Sequence, residues 1–352
     1  MARPLRPRRS CHVVPGTSER MLAKAAGLDA DEVILDLEDS VAPGAKGADS
    51  RAAVAAALAG GMAAPTRAVR VNAVDTPHCH RDIVAVVGAA GAHLDVVVLP
   101  KVDDPSHVTF ADHLLTALEA ELGLAPGRIG LEAQIESARG LVGAEAIAAA
   151  CPARLEALVV GPGDLAASLG MPQTTIGAPV PGYPGDGWHA SLSRVVVAAR
   201  AFGLQAVDGP FAAIRDEEGL RASAGRSRAL GYDGKWSIHP DQIGPLNEVF
   251  GVPADELADH PIAPMAAHAG SYYIRLMVLD EPGVLADISA VLRDHEVSIE
   301  SLIQRGRNPG QAVPIVLTSH DTTEARMRGA LARIGALPTV IEPPRMIRIE
   351  RS

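Results

Sequence analysis

Residues 129–165 read IGLEAQIESARGLVGAEAIAAACPARLEALVVGPGDL, an apolar run, a helical stretch and a second apolar run in that order. The first run, 129–136, alternates strand-forming residues and closes on Glu136. Residues 137–150 carry Ala, Leu and Ile at helical spacing, and 158–160 is a short run followed by Gly161-Pro162-Gly163-Asp164. Strands joined through a helix run parallel. Glu136 and Asp164 therefore emerge at the same end of neighbouring strands.

Outward from this unit the pattern repeats. Short runs at 12–14, 33–37, 68–72 and 96–99 precede it, and runs at 205–208 and 235–239 follow, which makes eight. Helical spacing appears at 50–58, 106–122, 190–201 and 214–230. Eight strand–helix units over residues 1–250 predict a TIM (β/α)₈ barrel. An open doubly wound sheet is the alternative, and the lack of GxGxxG after the first strand counts against its dinucleotide-binding form.

Barrel enzymes place their chemistry at the carboxyl ends of the strands. Here those ends carry Glu38 and Asp39, Arg70 and Asn72, Lys101, Glu136, Asp164, Asp208 and His239. After Phe250 the character changes. Residues 251–270 lack periodicity and read as a linker, and 271–352 show strand 272–278, helix 283–295, strand 297–304, loop 305–310, strand 313–318, helix 322–334 and strand 345–349. That βαββαβ order is ferredoxin-like, and the segment is long enough to be a second domain.

A formal net charge of -10 argues against a general nucleic-acid binder. The one basic cluster, Arg3, Arg6, Arg8 and Arg9, reads as a short solvated arm, since no apolar segment of signal or membrane-spanning length follows it. Three cysteines without CxxC spacing exclude a disulfide framework or a cysteine-built zinc site and fit a reducing cytoplasm.

Two carboxylates meeting above a barrel, with positions left for water and substrate oxygens, suit Mg²⁺. Glu136 and Asp164 are that pair; the competing reading has Glu136 paired with Arg139 and Asp164 capping a helix. Alternation places Asp36 and Glu38 on one face and Leu37 and Asp39 on the other, so the acidic run is not expected to act as one unit. Arg70, flanked by valines, presents a fork suited to a substrate carboxylate, or a fixed ion pair to Glu38 or Asp39. Arg20 and Lys24, one turn apart after a Thr17/Ser18 cap, either hold phosphate or belong to a plain capped helix. His239, with Lys235 on the same strand, reads as structural or as a site histidine.

Six motifs in order, Val33-Ile34-Leu35-Asp36-Leu37-Glu38-Asp39-Ser40-Val41-Ala42-Pro43, Val69-Arg70-Val71-Asn72, Leu99-Pro100-Lys101, Gln134-Ile135-Glu136-Ser137-Ala138-Arg139-Gly140, Gly161-Pro162-Gly163-Asp164-Leu165 and Asp233-Gly234-Lys235-Trp236-Ser237-Ile238-His239-Pro240, resemble the HpcH/HpaI aldolase and citrate lyase beta-subunit family. Tyr183 to His189 and Ala206 to Phe211 are similar to its malyl-CoA and citramalyl-CoA lyase branch. The resemblance implies a TIM barrel assembled as trimers or hexamers and Mg²⁺, or Mn²⁺ in its place, on Glu136 and Asp164. It implies Arg70 on the carboxylate of glyoxylate or another 2-oxo acid and Glu38 and Asp39 supporting the metal's waters; with Lys101, these three are the candidate catalytic residues. A CoA thioester would lie along Arg20, Lys24 and His239. The family's usual C-terminal lid, with its catalytic acid, has no counterpart after Phe250.

Tyr272 to Glu350 instead resembles the ACT domain of homoserine dehydrogenases, which implies side-by-side pairing and amino-acid binding near Asp280, Gly283 and Leu285. The expected activity is a Mg²⁺-dependent carbon–carbon lyase acting on a 3-hydroxyacyl-CoA in the cytoplasm. A CoA-independent 2-oxo acid aldolase, or an impaired barrel serving as an amino-acid-sensing regulatory protein, are the alternatives.

Overall fold

The computed structural model describes residues 4–151, 153–172, 175–180, 182–252, 268–304 and 308–349. The chain divides into two compact units, Met1–Leu257 and Ala258–Ser352.

In the first unit the strands β1 (Ser10–Pro15), β2 (Glu32–Asp36), β3 (Thr66–Arg70), β4 (Val96–Leu99), β5 (Gly130–Ile135), β6 (Leu155–Val160), β7 (Gln205–Asp208) and β8 (Gly234–Ser237) close in sequence order into a parallel barrel. The eight expected strands are all present. The helices α1 (Glu19–Ala25), α2 (Ala48–Ala59), α3 (Cys79–Ala90), α4 (Pro105–Glu121), α5 (Ala138–Val142), α6 (Ala144–Ala149), α7 (Pro162–Leu169), α8 (His189–Ala201), α9 (Glu217–Leu230) and α10 (Ile243–Phe250) surround it. The helix expected at 137–150 is two short ones, because Gly143 ends α5 and begins α6. Helices α3 and α10 lie outside the helical stretches read from the sequence.

Both faces of the strands are buried, which explains their near-continuous apolar runs. One face packs under the helices. The other fills the barrel with Cys11, Ile34, Ala68, Val96, Val98, Ala157, Val159, Val207 and Trp236. Period-two alternation then orders the interior by height. On β2, Glu32 lies below Ile34 and Asp36 above it, and on β5 Glu132 and Gln134 share the inward face on which Glu136 follows.

Arg3 of the expected solvated arm lies outside the described residues, and Arg6, Arg8 and Arg9 do not form one. Arg8 is 1% exposed. Its Nε donates to Glu132 at 2.5 Å, its Nη2 to Glu156 at 2.7 Å and its Nη1 to Gln205. Arg6 reaches Glu156 at 3.1 Å and Arg9 pairs with Asp31 at 2.9 Å. Acids at the strand starts, invisible as a group in one dimension, draw these guanidinium groups into the barrel floor.

In the second unit, β9 (Ala269–Leu279), α11 (Val284–Asp294), β10 (Ile299–Gln304), β11 (Ala312–Ser319), the two-residue β12 (Thr322–Thr323), α12 (Glu324–Gly335) and β13 (Arg345–Ile349) follow one another. The antiparallel sheet runs β10-β11-β9-β13, with β12 beside the start of β9. Alternate residues Tyr272, Ile274, Leu276 and Val278 pack with Ile288, Leu292, Met327 and Ile334 of the two helices. Residues 253–267 of the expected linker and 305–307 of the expected loop lie outside the described residues. Strand β9 begins at Ala269, inside the expected linker, because Gly270 and Ala269 pair with Thr322 and Thr323.

Candidate active site

Strand register builds the barrel mouth. Asp36 and Arg70 occupy paired positions on β2 and β3. The guanidinium meets the carboxylate in a fork, Nε to Oδ1 and Nη2 to Oδ2 at 2.7 Å each. Arg70 also lies 5.3 Å over the Trp236 ring, so two sides of the guanidinium are fixed. Burial works against both charges. The pairing outweighs it, holding Asp36 below the usual carboxylate range and Arg70 above its ordinary value.

Asp36 also ends the strand. Its oxygens accept the Glu38 N–H and the Ser40 N–H at 2.9 Å and the Ser40 hydroxyl at 2.5 Å, folding the chain across the mouth. The expected division of the acidic run into two faces is therefore overturned: strand alternation stops at Asp36, and Glu38 and Asp39 curl round the same cations. Arg70 Nη1 lies 3.4 Å from Glu38 and 3.5 Å from Asp39. The Lys101 ammonium lies 2.5 Å from Glu38 and 3.4 Å from Asp39. Burial and the hydrogen bond with Asp39 raise the Glu38 carboxyl, whereas Asp39 is lowered: its contacts with Glu38 and the two cations outweigh its own burial.

Glu136 stands behind this group. Its Oε1 accepts the Lys101 N–H at 2.7 Å and its Oε2 a Gln134 side-chain N–H at 2.7 Å. A Cβ on Gly161 would meet Oε2 at 2.3 Å, so the carboxylate fits only because that residue is glycine. Burial pushes the Glu136 carboxyl up to about 8 against the pull of Arg70 and the Lys101 amide, and the charge of Asp164 adds to the rise. Asp164, about half exposed, approaches Lys101 Nζ to 3.4 Å. Neither competing reading of this pair holds. The ion pair of Arg139 is with Asp104 at 3.9 Å, and α7 starts after Gly161 with no side-chain cap, Asp164 lying inside its first turn.

The mouth thus gathers five carboxylates (Asp36, Glu38, Asp39, Glu136 and Asp164) around two cations, three negative charges in surplus when all are ionised. Among the described residues no three acidic, His or Cys side chains converge closely enough to hold an ion alone. Two carboxylates with remaining positions for oxygens of water and substrate match Mg²⁺. The Gln134 amide oxygen, buried without a partner next to Glu136, and the charge surplus both fit a divalent cation.

Two other polar strand ends are structural. Asn72 donates to Asp82 of α3 and to the Leu37 carbonyl. Asp208 binds the fully buried Lys235 at 2.5 Å and the Ser227 hydroxyl of α9. Gln134 and Trp236 were not singled out from sequence as site residues. Their inward parity on β5 and β8 was the available signal.

Arg20, Lys24 and His239 line one cavity of about 330 Å³ together with His12, Met21 and Ile238. Ser18 caps α1 by accepting the Met21 N–H. Strand β8 ends at Ser237, so His239 lies beyond it, and its Nδ1 accepts the Asp241 N–H at 3.3 Å. Burial, helped by His239, lowers His12 to about 4, and its Nδ1 is 2.9 Å from the Ser237 hydroxyl. In the second unit Asp280, Gly283 and Leu285 line a cavity of about 220 Å³ with Gln304 and Ile315. The Asp280 carboxylate is engaged by the Asn308 N–H at 2.7 Å, and Gly283 has φ +99.

Residues 9–240 match the family model of HpcH/HpaI aldolase/citrate lyase, and residues 272–339 that of the ACT domain. The L-malyl-CoA/beta-methylmalyl-CoA lyase of Cereibacter sphaeroides is 41% identical over 259 residues, 71% of this chain and 80% of the relative. A (3S)-malyl-CoA thioesterase of the same species is 39% identical over 267 residues, 75% of this chain and 85% of the relative. Among solved structures, the citrate lyase beta subunit of M. tuberculosis complexed with oxaloacetate and magnesium superposes with a TM-score of 0.54 at 33% identity, covering 69% of this chain and 97% of that one.

Proposed function

Because the chain belongs to the HpcH/HpaI aldolase/citrate lyase family, we propose that it is a Mg²⁺-dependent carbon–carbon lyase cleaving, reversibly, a 3-hydroxyacyl-CoA such as malyl-CoA or citramalyl-CoA. The observation that carries this reading is the Glu136 carboxylate, clamped by the Lys101 amide and Gln134 over Gly161, beside Asp164 in a mouth with surplus negative charge. Glu136 and Asp164 would hold the ion, which when bound polarises a carbonyl oxygen and stabilises charge developing on it.

The remaining side chains bind and orient. Arg70, fixed by Asp36 along one edge, keeps Nη1 on the side of Glu38 and Asp39, where it would meet the carboxylate of glyoxylate or another 2-oxo acid. Cleavage removes the proton of the 3-hydroxyl, turns that carbon into the 2-oxo acid carbonyl and leaves the bond electrons on the thioester's α-carbon, which is then protonated. Asp39, with 53% of its side chain exposed and paired with Lys101, would with Glu38 orient water on the ion. Arg20, Lys24 and His239 would contact the CoA portion.

The same reading includes a homo-oligomer, trimeric or hexameric, with ACT domains able to pair and to take an amino acid at Asp280, Gly283 and Leu285. The three cysteines, all buried and unpaired, support work in a reducing cytoplasm. No helix among the described residues is long and apolar enough to cross a membrane.

Incubating the protein with malyl-CoA and Mg²⁺ is expected to yield glyoxylate and acetyl-CoA, with EDTA abolishing the reaction and Glu136→Ala lowering it by roughly a thousandfold. Unchanged turnover in Glu136→Ala would sink the reading. A second reading, hydrolysis of the thioester, is favoured by the near-equal identity to the thioesterase and predicts free CoA without glyoxylate. Cleavage of 4-hydroxy-2-oxo acids alone would instead identify a CoA-independent aldolase. Thermal stabilisation by an amino acid with no turnover would identify a regulatory protein.

A further inference from the structure

Lys101 touches both carboxylates of the candidate metal pair, by different ends. Its N–H donates to Glu136 Oε1 at 2.7 Å, and its ammonium lies 3.4 Å from Asp164 Oδ2. A residue spans the two because its backbone sits at φ +53, the left-handed region that non-glycine residues rarely adopt. This turn keeps the N–H directed at Glu136 while the side chain crosses the mouth to Glu38 at 2.5 Å and Asp39 at 3.4 Å. Only 40% of the side chain is exposed, so its charge is balanced by these carboxylates rather than by water alone.

We propose that Lys101 is the site's built-in competitor for divalent cations: its ammonium and the incoming ion draw on the same Asp164 carboxylate, and binding requires the Lys101–Asp164 contact to give way. The inference rests on the reading of Glu136 and Asp164 as metal ligands. The ammonium does not leave the mouth, because its shortest contact is with Glu38, on the opposite side of it from Asp164 in sequence and strand order. Loading Asp164 therefore tightens Lys101 against Glu38 and Asp39, the acids beside Arg70. In this way Lys101 acts as a positioning residue that couples occupation of Asp164 to the arrangement of the neighbouring acids.

Mn²⁺ binding to the full chain, followed by electron paramagnetic resonance of the free ion, tests the competition without any turnover. Lys101→Met is expected to bind Mn²⁺ about tenfold more tightly than the wild type, the order expected when one like charge is removed a few ångström from the ion in a partly solvated site. Lys101→Arg, which keeps the charge, is expected to stay near the wild type. Lys101→Gly, which accepts φ +53 without strain, is expected to match Lys101→Met and covers the case in which the methionine variant folds poorly. Unchanged or weaker Mn²⁺ binding in both Lys101→Met and Lys101→Gly would overturn the proposal. A wild type that binds no Mn²⁺ at any accessible concentration would overturn the metal reading beneath it, a separate and distinguishable result.

Discussion

Replacing Glu32 with glutamine should make this protein more stable, and increasingly so as pH rises. Arg8 is the cation inside the barrel floor, and its hydrogen bonds go to Glu132, Glu156 and Gln205. Arg6 adds a second positive charge on Glu156. Glu32, fully buried, is left with Arg8 Nε at 3.6 Å and the Cys11 thiol, a weak donor, beside it. Burial, then the charge of Glu132, pushes its carboxyl well above the ordinary 4.5. A bare carboxylate in a dry interior is too costly to persist, so the folded protein keeps the proton that the unfolded chain releases. That stabilisation is complete below the unfolded value and is lost as pH rises towards the folded one. Over the interval in which only the unfolded chain ionises, the wild type loses about 1.4 kcal/mol per pH unit through this group. Glutamine, neutral at every pH, removes the slope, and its amide N–H can serve the unpartnered Glu132 Oε2. Above the ordinary carboxylate range the gap between mutant and wild type should widen by up to about 1.4 kcal/mol per pH unit, roughly 3–5 °C in Tm per unit for a barrel of this size. Thermal melts of both proteins above that range, at constant ionic strength, measure it. Parallel Tm–pH curves, whatever their offset, would show that Glu32 holds no proton and refute the reasoning.

Two further substitutions probe the mouth and the second cavity. Gly161→Ala places a methyl 2.3 Å from Glu136 Oε2, so it should cost about 1–3 kcal/mol of stability and weaken Mn²⁺ binding together, whereas a loss in melting temperature alone would detach Gly161 from the ion. Arg20→Ala with Lys24→Ala should raise KM for the CoA ester by about tenfold per lost charge-assisted contact while leaving a pantetheine ester's KM unchanged. An equal rise for both esters would place the CoA elsewhere.

Eight strands, their order and the position of the chemical residues at strand ends are legible in one dimension because each element follows from a local period, two or 3.6 residues. Local rules failed where residues distant in the chain compete for one partner. Glu38 and Asp39 were separated by strand alternation, yet Asp36 ends the strand by accepting the Glu38 and Ser40 N–H groups, and only its pairing with Arg70 on β3 holds it there. Asn72 and Asp208 look equivalent to Arg70 and Glu136 in the sequence. Their partners on α3 and α9 make them structural.

The amino-acid order alone gives parallel strands followed by a βαββαβ unit, and it sets Glu136 and Asp164 at matching ends of neighbouring strands, since hydrophobic period and parallel connection fix both; that the eight strands close into a barrel rather than an open sheet was decided by the tertiary structure. Which acids share Arg70 and Lys101, why Arg8 disappears from solvent, and how Gly161 makes room for Glu136 were settled by three-dimensional packing. The reason is electrostatic. The state of a buried charge depends on every partner within a few ångström, and closure of the barrel brings together side chains more than a hundred residues apart.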